Sequence, residues 1–345
     1  MRFELDADAA ALRDAVAAVL IKEVTGPVIR AGWPAGDREL VAAAWRKLAD
    51  VGVIGTLVPE DAGGLGLDLN SALPVLEQFG RSGLPMPVVE TIAVAAPLLA
   101  SACPERLGDV LSGTALITAA LGDGDNDGDS DLVPFGAHAD LLVLRHGGEL
   151  RLYGREELAL EPVAAVDGSR ALARLTGSPA GGTALAGGIV LIDDPAEVEL
   201  AWQRGVIGTA AVLVGLADRM LAMTVEYVQQ RQQYGVPVGS FQAIKHALAS
   251  ALVAVEFARP AVLAAGWALA AGEPDAGVQV GAAKVLASDA ARQLARTSIQ
   301  CHGAMGYTTE HDLQLFAKRA WALAPDWGSP GWHRARLASA LGIGE

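Results

Sequence analysis

The chain changes its hydrophobic period twice. From Leu5 to Thr25 apolar residues recur at helical spacing, interrupted by Arg13, Asp14, Lys22 and Glu23, and a second helix is expected from Asp37 to Asp50 between the Gly32-Trp33-Pro34 break and Gly52. Gly63, Gly64 and Gly66 lack the preceding strand and the spacing of a nucleotide-binding fingerprint, so they read as a loop between helices. Between Gly113 and Asp193 short runs rich in branched residues (Ala115 to Thr118, Asp140 to Leu144, Leu150 to Tyr153, Gly188 to Ile192) alternate with glycine and aspartate turns, as strands do. From about Val198 the pattern is helical again, over Leu200 to Arg231, Phe241 to Ala271, Asp275 to Cys301 and Glu310 to Leu323. The short connections make these an antiparallel bundle. The predicted fold is α+β, mainly α: an N-terminal helical domain over 1–110, a small β-domain over 111–195 and a C-terminal four-helix bundle over 196–345, with no strand in the last third.

Composition narrows the classes. With 345 residues, 52% of them hydrophobic, the chain can bury a full core. The apolar runs Gly205 to Ala217 and Ala261 to Ala271 are too short to span a bilayer and are flanked by Arg204, Asp218 and Arg259, which makes them buried helices of a bundle. The start, MRFELDADAAALRDAV, has neither the basic end nor the apolar core of a signal peptide, so a cytoplasmic location is expected. Two cysteines, Cys103 and Cys301, fit a reducing compartment and supply no zinc set. A formal charge of −14 argues against nucleic acid or an anionic membrane as partner. Gly122 to Asp131, GDGDNDGDSD, matches half of a calcium loop, but Pro134 stands where the closing glutamate belongs. It reads as a solvated loop, and no metal site is expected.

One stretch concentrates chemistry. Arg231 to His246, RQQYGVPVGSFQAIKH, places an arginine, an aromatic, two turn glycines and an amide side chain between two long helices. The glycines and Pro237 break the helical period, so the segment is a turn with its polar groups outward, and Ser240 is placed to cap the next helix. An arginine there can hold a diphosphate through two parallel charge-assisted bonds; a solvated arginine at a helix corner is the plainer reading.

The wording of this stretch resembles the signature of acyl-CoA dehydrogenases. Two further stretches resemble the same family: VPEDAGG before the helix that ends near Glu77 to Arg81, and QCHGAMGY from Gln300 to Tyr307, which carries Ala304 where a second glycine usually stands. The order helical, β, helical is also the family's. The resemblance implies a flavin dinucleotide, FAD, held mainly by an adjacent subunit. Arg231 would meet its diphosphate, Tyr234 would pack against it, and Gln242, Gln300 and the Gly303 and Gly306 backbone would lie beside it. It further implies an acyl-CoA substrate, a self- or hetero-oligomer of homologous chains, and an electron-transfer flavoprotein as acceptor. For the coenzyme's own charge the chain offers Lys245, His246, Lys318 and Arg319, each of which reads by default as a solvated surface residue.

The reaction this family performs needs a carboxylate base. Counting from Gly306, the family's usual glutamate position falls on Trp327, inside Asp326-Trp327-Gly328; the alternative position, counting back from Arg231, falls on Gly205. Both lack a carboxylate. The β-domain departs as well: Ile117-Thr118-Ala119-Ala120 replaces Leu-Thr-Glu-Pro, and Val133-Pro134-Phe135-Gly136 stands where a Trp-Ile-Thr is usual. Elements that hold the flavin ring within the subunit are degraded, and those lent to the neighbour are kept. The expectation is the base-lacking subunit of a hetero-oligomer that dehydrogenates acyl-CoA thioesters in fatty-acid or sterol degradation. Two alternatives stay open: a self-sufficient enzyme using Asp326 or Glu310, and a flavin-free scaffold.

Overall fold

Aspartates start many of the helices. In the computed structural model, which describes residues 5–122, 132–177 and 187–343, Asp6 accepts the Ala9 amide ahead of α1 (Ala7–Glu23), Asp37 that of Glu39 ahead of α3 (Arg38–Ala49), and Asp68 that of Ser71 ahead of α4 (Leu69–Ser82). Each side chain satisfies one of the amides that a helix start leaves without a partner. Between α1 and α3 the short α2 (Gly26–Ala31) was not read from the sequence. A π-helical stretch, Glu90–Ala95, runs directly into α5 (Ala96–Ala102), and α6 (Leu107–Leu111) closes the helical part.

The β-region holds two sheets. One has the order β1 (Ile117–Ala120), β3 (Leu141–His146), β4 (Glu149–Gly154), β7 (Ile189–Ile192), with β1 and β3 parallel and Ile117 opposite Leu141. The four sequence-predicted strands are all in it. The second sheet, β2 (Leu132–Val133), β6 (Ala173–Gly177), β5 (Ala159–Pro162), was missed. Its strands are two to five residues long and one ends in proline, so no alternation develops. The aspartate-rich segment considered for calcium lies outside the described residues.

Beyond it come α7 (Pro195–Gln230), α8 (Gln242–Ala271), α9 (Ala276–His302), α10 (Leu313–Leu323) and a further helix, α11 (Pro330–Ala340), that was not predicted. The strand-free expectation for this third fails in one detail. Gln232–Gln233 and Val236–Pro237 pair as a two-residue ladder, β8 with β9, because Tyr234 and Gly235 both take left-handed backbone at the hairpin tip. Ser240 is not a cap either; its hydroxyl donates to the Pro237 carbonyl, and α8 starts after Phe241 without a side-chain cap.

α7 crosses α4 at two glycines. A Cβ on Gly80 would stand 2.2 Å from the Val212 carbonyl oxygen, and one on Gly215 would stand 2.0 Å from that of Glu77. Two backbones can therefore meet where side chains would hold them apart. The helices that contain the two apolar runs, α7 and α8, are by length and composition alone long and apolar enough to cross a membrane, a test that buried core helices also pass. The most apolar window of α7 is 78% buried in the protein; that of α8 is only 28% buried, and Leu252, Val253 and Phe257 on it are exposed.

Candidate functional site: a closed cleft and an exposed turn

The two positions examined for a base are in direct contact. Gly205, on α7, lies against the indole of Trp327: a Cβ built on Gly205 would fall 2.4 to 2.6 Å from three atoms of that ring. Trp327 is buried, at 4% exposure, and takes left-handed backbone with φ 57°. Three contacts hold its turn. Neutral His333, on α11, donates through Nε2 to the Trp327 carbonyl at 3.0 Å, and the fully buried Lys284 of α9 donates to the carbonyls of Ala324 at 2.8 Å and Gly328 at 3.3 Å. Burial pulls the His333 imidazole down to about 4, which keeps it neutral at physiological pH.

Asp326, one of the two candidate bases, is engaged elsewhere. It is half-buried, and its carboxylate accepts from the buried Arg170 at 2.7 Å. Glu310 is exposed; its backbone carbonyl accepts from Arg30 at 2.9 Å. Arg319, taken as a solvated candidate for the coenzyme, is instead buried and paired with the buried Asp167. Lys318 lies 4.9 Å from the centre of the Trp33 ring, while Lys245 and His246 are exposed on α8.

Beside Asp326 and Arg170 sits Glu90, first residue of the π-helical stretch and only 4% exposed. Burial raises its carboxyl to about 7, with Arg170 pulling down and Asp326 pushing up. The sequence reading missed it, although a lone carboxylate in the uncharged run from Leu84 to Cys103 was a signal. A carboxyl raised in the folded state stabilises it fully below the unfolded value near 4.5, and that contribution is lost as pH rises through about 7. Glu90→Gln keeps the shape of the protonated group. It is expected to match the wild type at pH 4.5 and to be more stable by roughly 2–3 kcal/mol at pH 8. Denaturant titrations at the two pH values check this; an equal difference at both would show that Glu90 does not titrate there.

The predicted cofactor residues gather at the other end of α7. Arg231 ends that helix with its amide on the Tyr227 carbonyl at 2.8 Å, while its side chain is exposed. Tyr234 is 92% exposed, and Gln242 and Gln300 are exposed. The Tyr227 ring stacks on His302 at 4.2 Å and its hydroxyl donates to the His302 carbonyl, which ties the Arg231 turn to the Gly303–Tyr307 turn. Gly303 has φ 60° with open space where a Cβ would be, whereas Gly306 is buried against Ile299. His302 Nδ1 pairs with the Ser298 carbonyl, which leaves Nε2 as an acceptor; it is buried and has no hydrogen-bond partner among the described residues.

Comparison with known proteins follows the same division. Residues 6–114 match the profile described as acyl-CoA dehydrogenase, N-terminal domain, and residues 196–342 that described as acyl-CoA dehydrogenase, C-terminal domain. Acyl-CoA dehydrogenase IpdE2 of Mycobacterium tuberculosis is 34% identical over 336 residues, 95% of each chain. The fold is that of the ChsE4-ChsE5 complex from Mycobacterium tuberculosis (TM-score 0.83, 23% identity, 100% of both chains) and of a variant described as the Tcur3481-Tcur3483 steroid ACAD (0.85, 23%, 97% and 98%). The chain belongs to the acyl-CoA dehydrogenase family of oxidoreductases. The family implies a flavin, and the residues present fit it unequally. The exposed side chains of Arg231 and Gln300 and the open backbone at Gly303 suit a polar group brought by another chain. Within the chain, the indole of Trp327 fills the space beside Gly205, the hydroxyl of the buried Thr118 is committed to the Pro134 carbonyl, and Trp202 Nε1 donates to Gly122.

Proposed function

We propose that this chain is the base-lacking subunit of a two-chain, FAD-dependent acyl-CoA dehydrogenase of the cytoplasm. It assembles with a homologous subunit that carries the carboxylate, and Arg231, Tyr234, Gln242, Gln300 and the backbone of Gly303 and Gly306 meet the dinucleotide held mainly by that neighbour. The observation that carries this reading is the Trp327 indole seated on Gly205, which puts an apolar ring where either base would stand. Asp326 is committed to Arg170, and Glu310 is on the surface. Desaturation beside a thioester requires a proton acceptor at one carbon and a hydride acceptor at the next; FAD, when bound, supplies the latter. Electron-transfer flavoprotein then receives the electrons. The apolar outer face of α8, with Phe257 69% exposed and Trp267 39% exposed, suits a homologous chain, since bundle interfaces close between unlike copies as readily as like ones. The substrate class we infer is an acyl-CoA thioester of fatty-acid or sterol breakdown.

The test is to purify the chain alone and with its candidate partner and to follow flavin bleaching by short, long and ring-bearing acyl-CoA. The lone chain is expected to bleach about 10²- to 10⁴-fold more slowly than the pair, the usual loss when a positioned base is missing. Full turnover by the lone chain would overturn the reading and point to Asp326 or Glu310; an assembled pair without flavin would leave a scaffold. Within the assembled pair, Arg231→Ala should lower flavin occupancy about tenfold, the effect of one charge-assisted contact to a diphosphate. Unchanged occupancy, read from the ratio of visible to ultraviolet absorbance, would remove Arg231 from the site.

A further inference from the structure

A groove of about 470 Å³ opens between α1, α4, α7 and α10, apart from the cleft and from the exposed turn. Its apolar wall is Leu20 of α1, Val24 just beyond its end, Ile29 of α2 and Phe316 of α10, and Ile21 stands at its rim 82% exposed. The charged side chains around it cancel in pairs with one exception. Arg81 is bound to Asp218, and Asp312 to Arg30. Arg219 has no acidic partner among the described residues; its guanidinium lies over the Phe316 ring, 5.9 Å from the centre. In a chain of net charge −14, one unbalanced arginine above an apolar hollow defines a complementary ligand.

We propose that this groove binds a small amphiphilic monoanion, a carboxylate with an apolar body, the acid group on Arg219 and the body against Leu20, Val24, Ile29 and Phe316. The guanidinium fork matches a carboxylate through two parallel bonds, and the volume lies in the range of small-molecule sites. The ring beneath Arg219 holds the fork at the mouth, where it is accessible. Inward, the groove ends at a fissure between Ile29, Phe316 and Arg319 with no room for water, so the ligand is confined to the surface side and does not reach the buried Arg319–Asp167 pair. Arg219 is also about 20 Å along α7 from Gly205, at about 1.5 Å per residue, which separates this site from any chemistry at the cleft.

The experiment titrates the full chain with decanoate and with decanol by calorimetry, a readout that needs neither flavin nor turnover. Decanoate is expected to bind at one saturable site at least tenfold more tightly than the alcohol. Arg219→Ala changes an exposed residue and is expected to reduce decanoate to the level of decanol. Ala17→Phe, which fills the groove from α1, is expected to abolish both. Arg334→Ala, remote on α11, should change nothing. Absence of saturable binding, equal affinity for acid and alcohol, or decanoate binding unaffected by Arg219→Ala would each overturn the proposal.

Discussion

Asp167→Ala is expected to lower unfolding free energy by about 3–5 kcal/mol, the usual consequence of removing one member of a buried ion pair. Asp167 is inaccessible to solvent, and its carboxylate takes the Nε–H of Arg319 together with the amide and hydroxyl of Ser169. Arg319 in turn donates to the Ser169 hydroxyl and to the Leu84 carbonyl. Without the carboxylate, a guanidinium held at 8% exposure by α10 loses its hydrogen-bonded counter-ion and has too little water to replace it. The loss should be felt across the molecule, because Asp167 belongs to the β-region, Arg319 to the C-terminal bundle and Leu84 to the N-terminal helices. Denaturant unfolding followed by both far-ultraviolet circular dichroism and tryptophan fluorescence checks this. The double replacement Asp167→Leu with Arg319→Leu is expected to be less damaging than the single one, since the stranded charge goes with its partner. A shift below about 1 kcal/mol for Asp167→Ala would show that the pair is solvated.

That pair also shows where sequence reasoning stops. The long helices were legible because their apolar residues repeat within a few positions, and four strands were legible for the same reason. The Arg231 and Gln300 turns were legible as wording, and the structure brings them to one end of the bundle through Tyr227 and His302. Arg319 was misread as a surface cation because Asp167, which makes its burial tolerable, lies in another part of the chain. Asp326 was considered as a base for a related reason: Arg170, which holds its carboxylate, lies 156 residues earlier in the chain. Lys284, in an alanine-rich helix, gave no sign that it would close a turn by binding the carbonyls that follow α10. Both cleft positions were found by counting; that one fills the space left by the other is a fact of packing, and no local pattern records it.

Trp327→Ala is expected to cost about 3–5 kcal/mol, as removal of a large buried aromatic ring does, with no relief of the left-handed backbone because alanine is strained there as well. Gly205→Ala alone is expected to cost about 1–3 kcal/mol, since its new methyl meets the face of the indole and the ring cannot withdraw. The turn that carries the ring is fixed by His333 and Lys284, so relief would have to come from movement of α7. In the double variant the methyl enters space the indole has left. Its cost should fall short of the sum by at least about 1 kcal/mol, the coupling expected of residues in contact. Simple additivity in denaturant unfolding would show that ring and helix do not touch. The same variants separate closure of the cleft from absence of a base: if the missing carboxylate limits the chain, Trp327→Ala opens room for an acyl group, yet the lone chain still leaves flavin unbleached. Bleaching by that variant would mean that Trp327 blocks a site whose base is already present, and Glu90, buried beside Asp326 and half-protonated near neutral pH, would become the group to replace next.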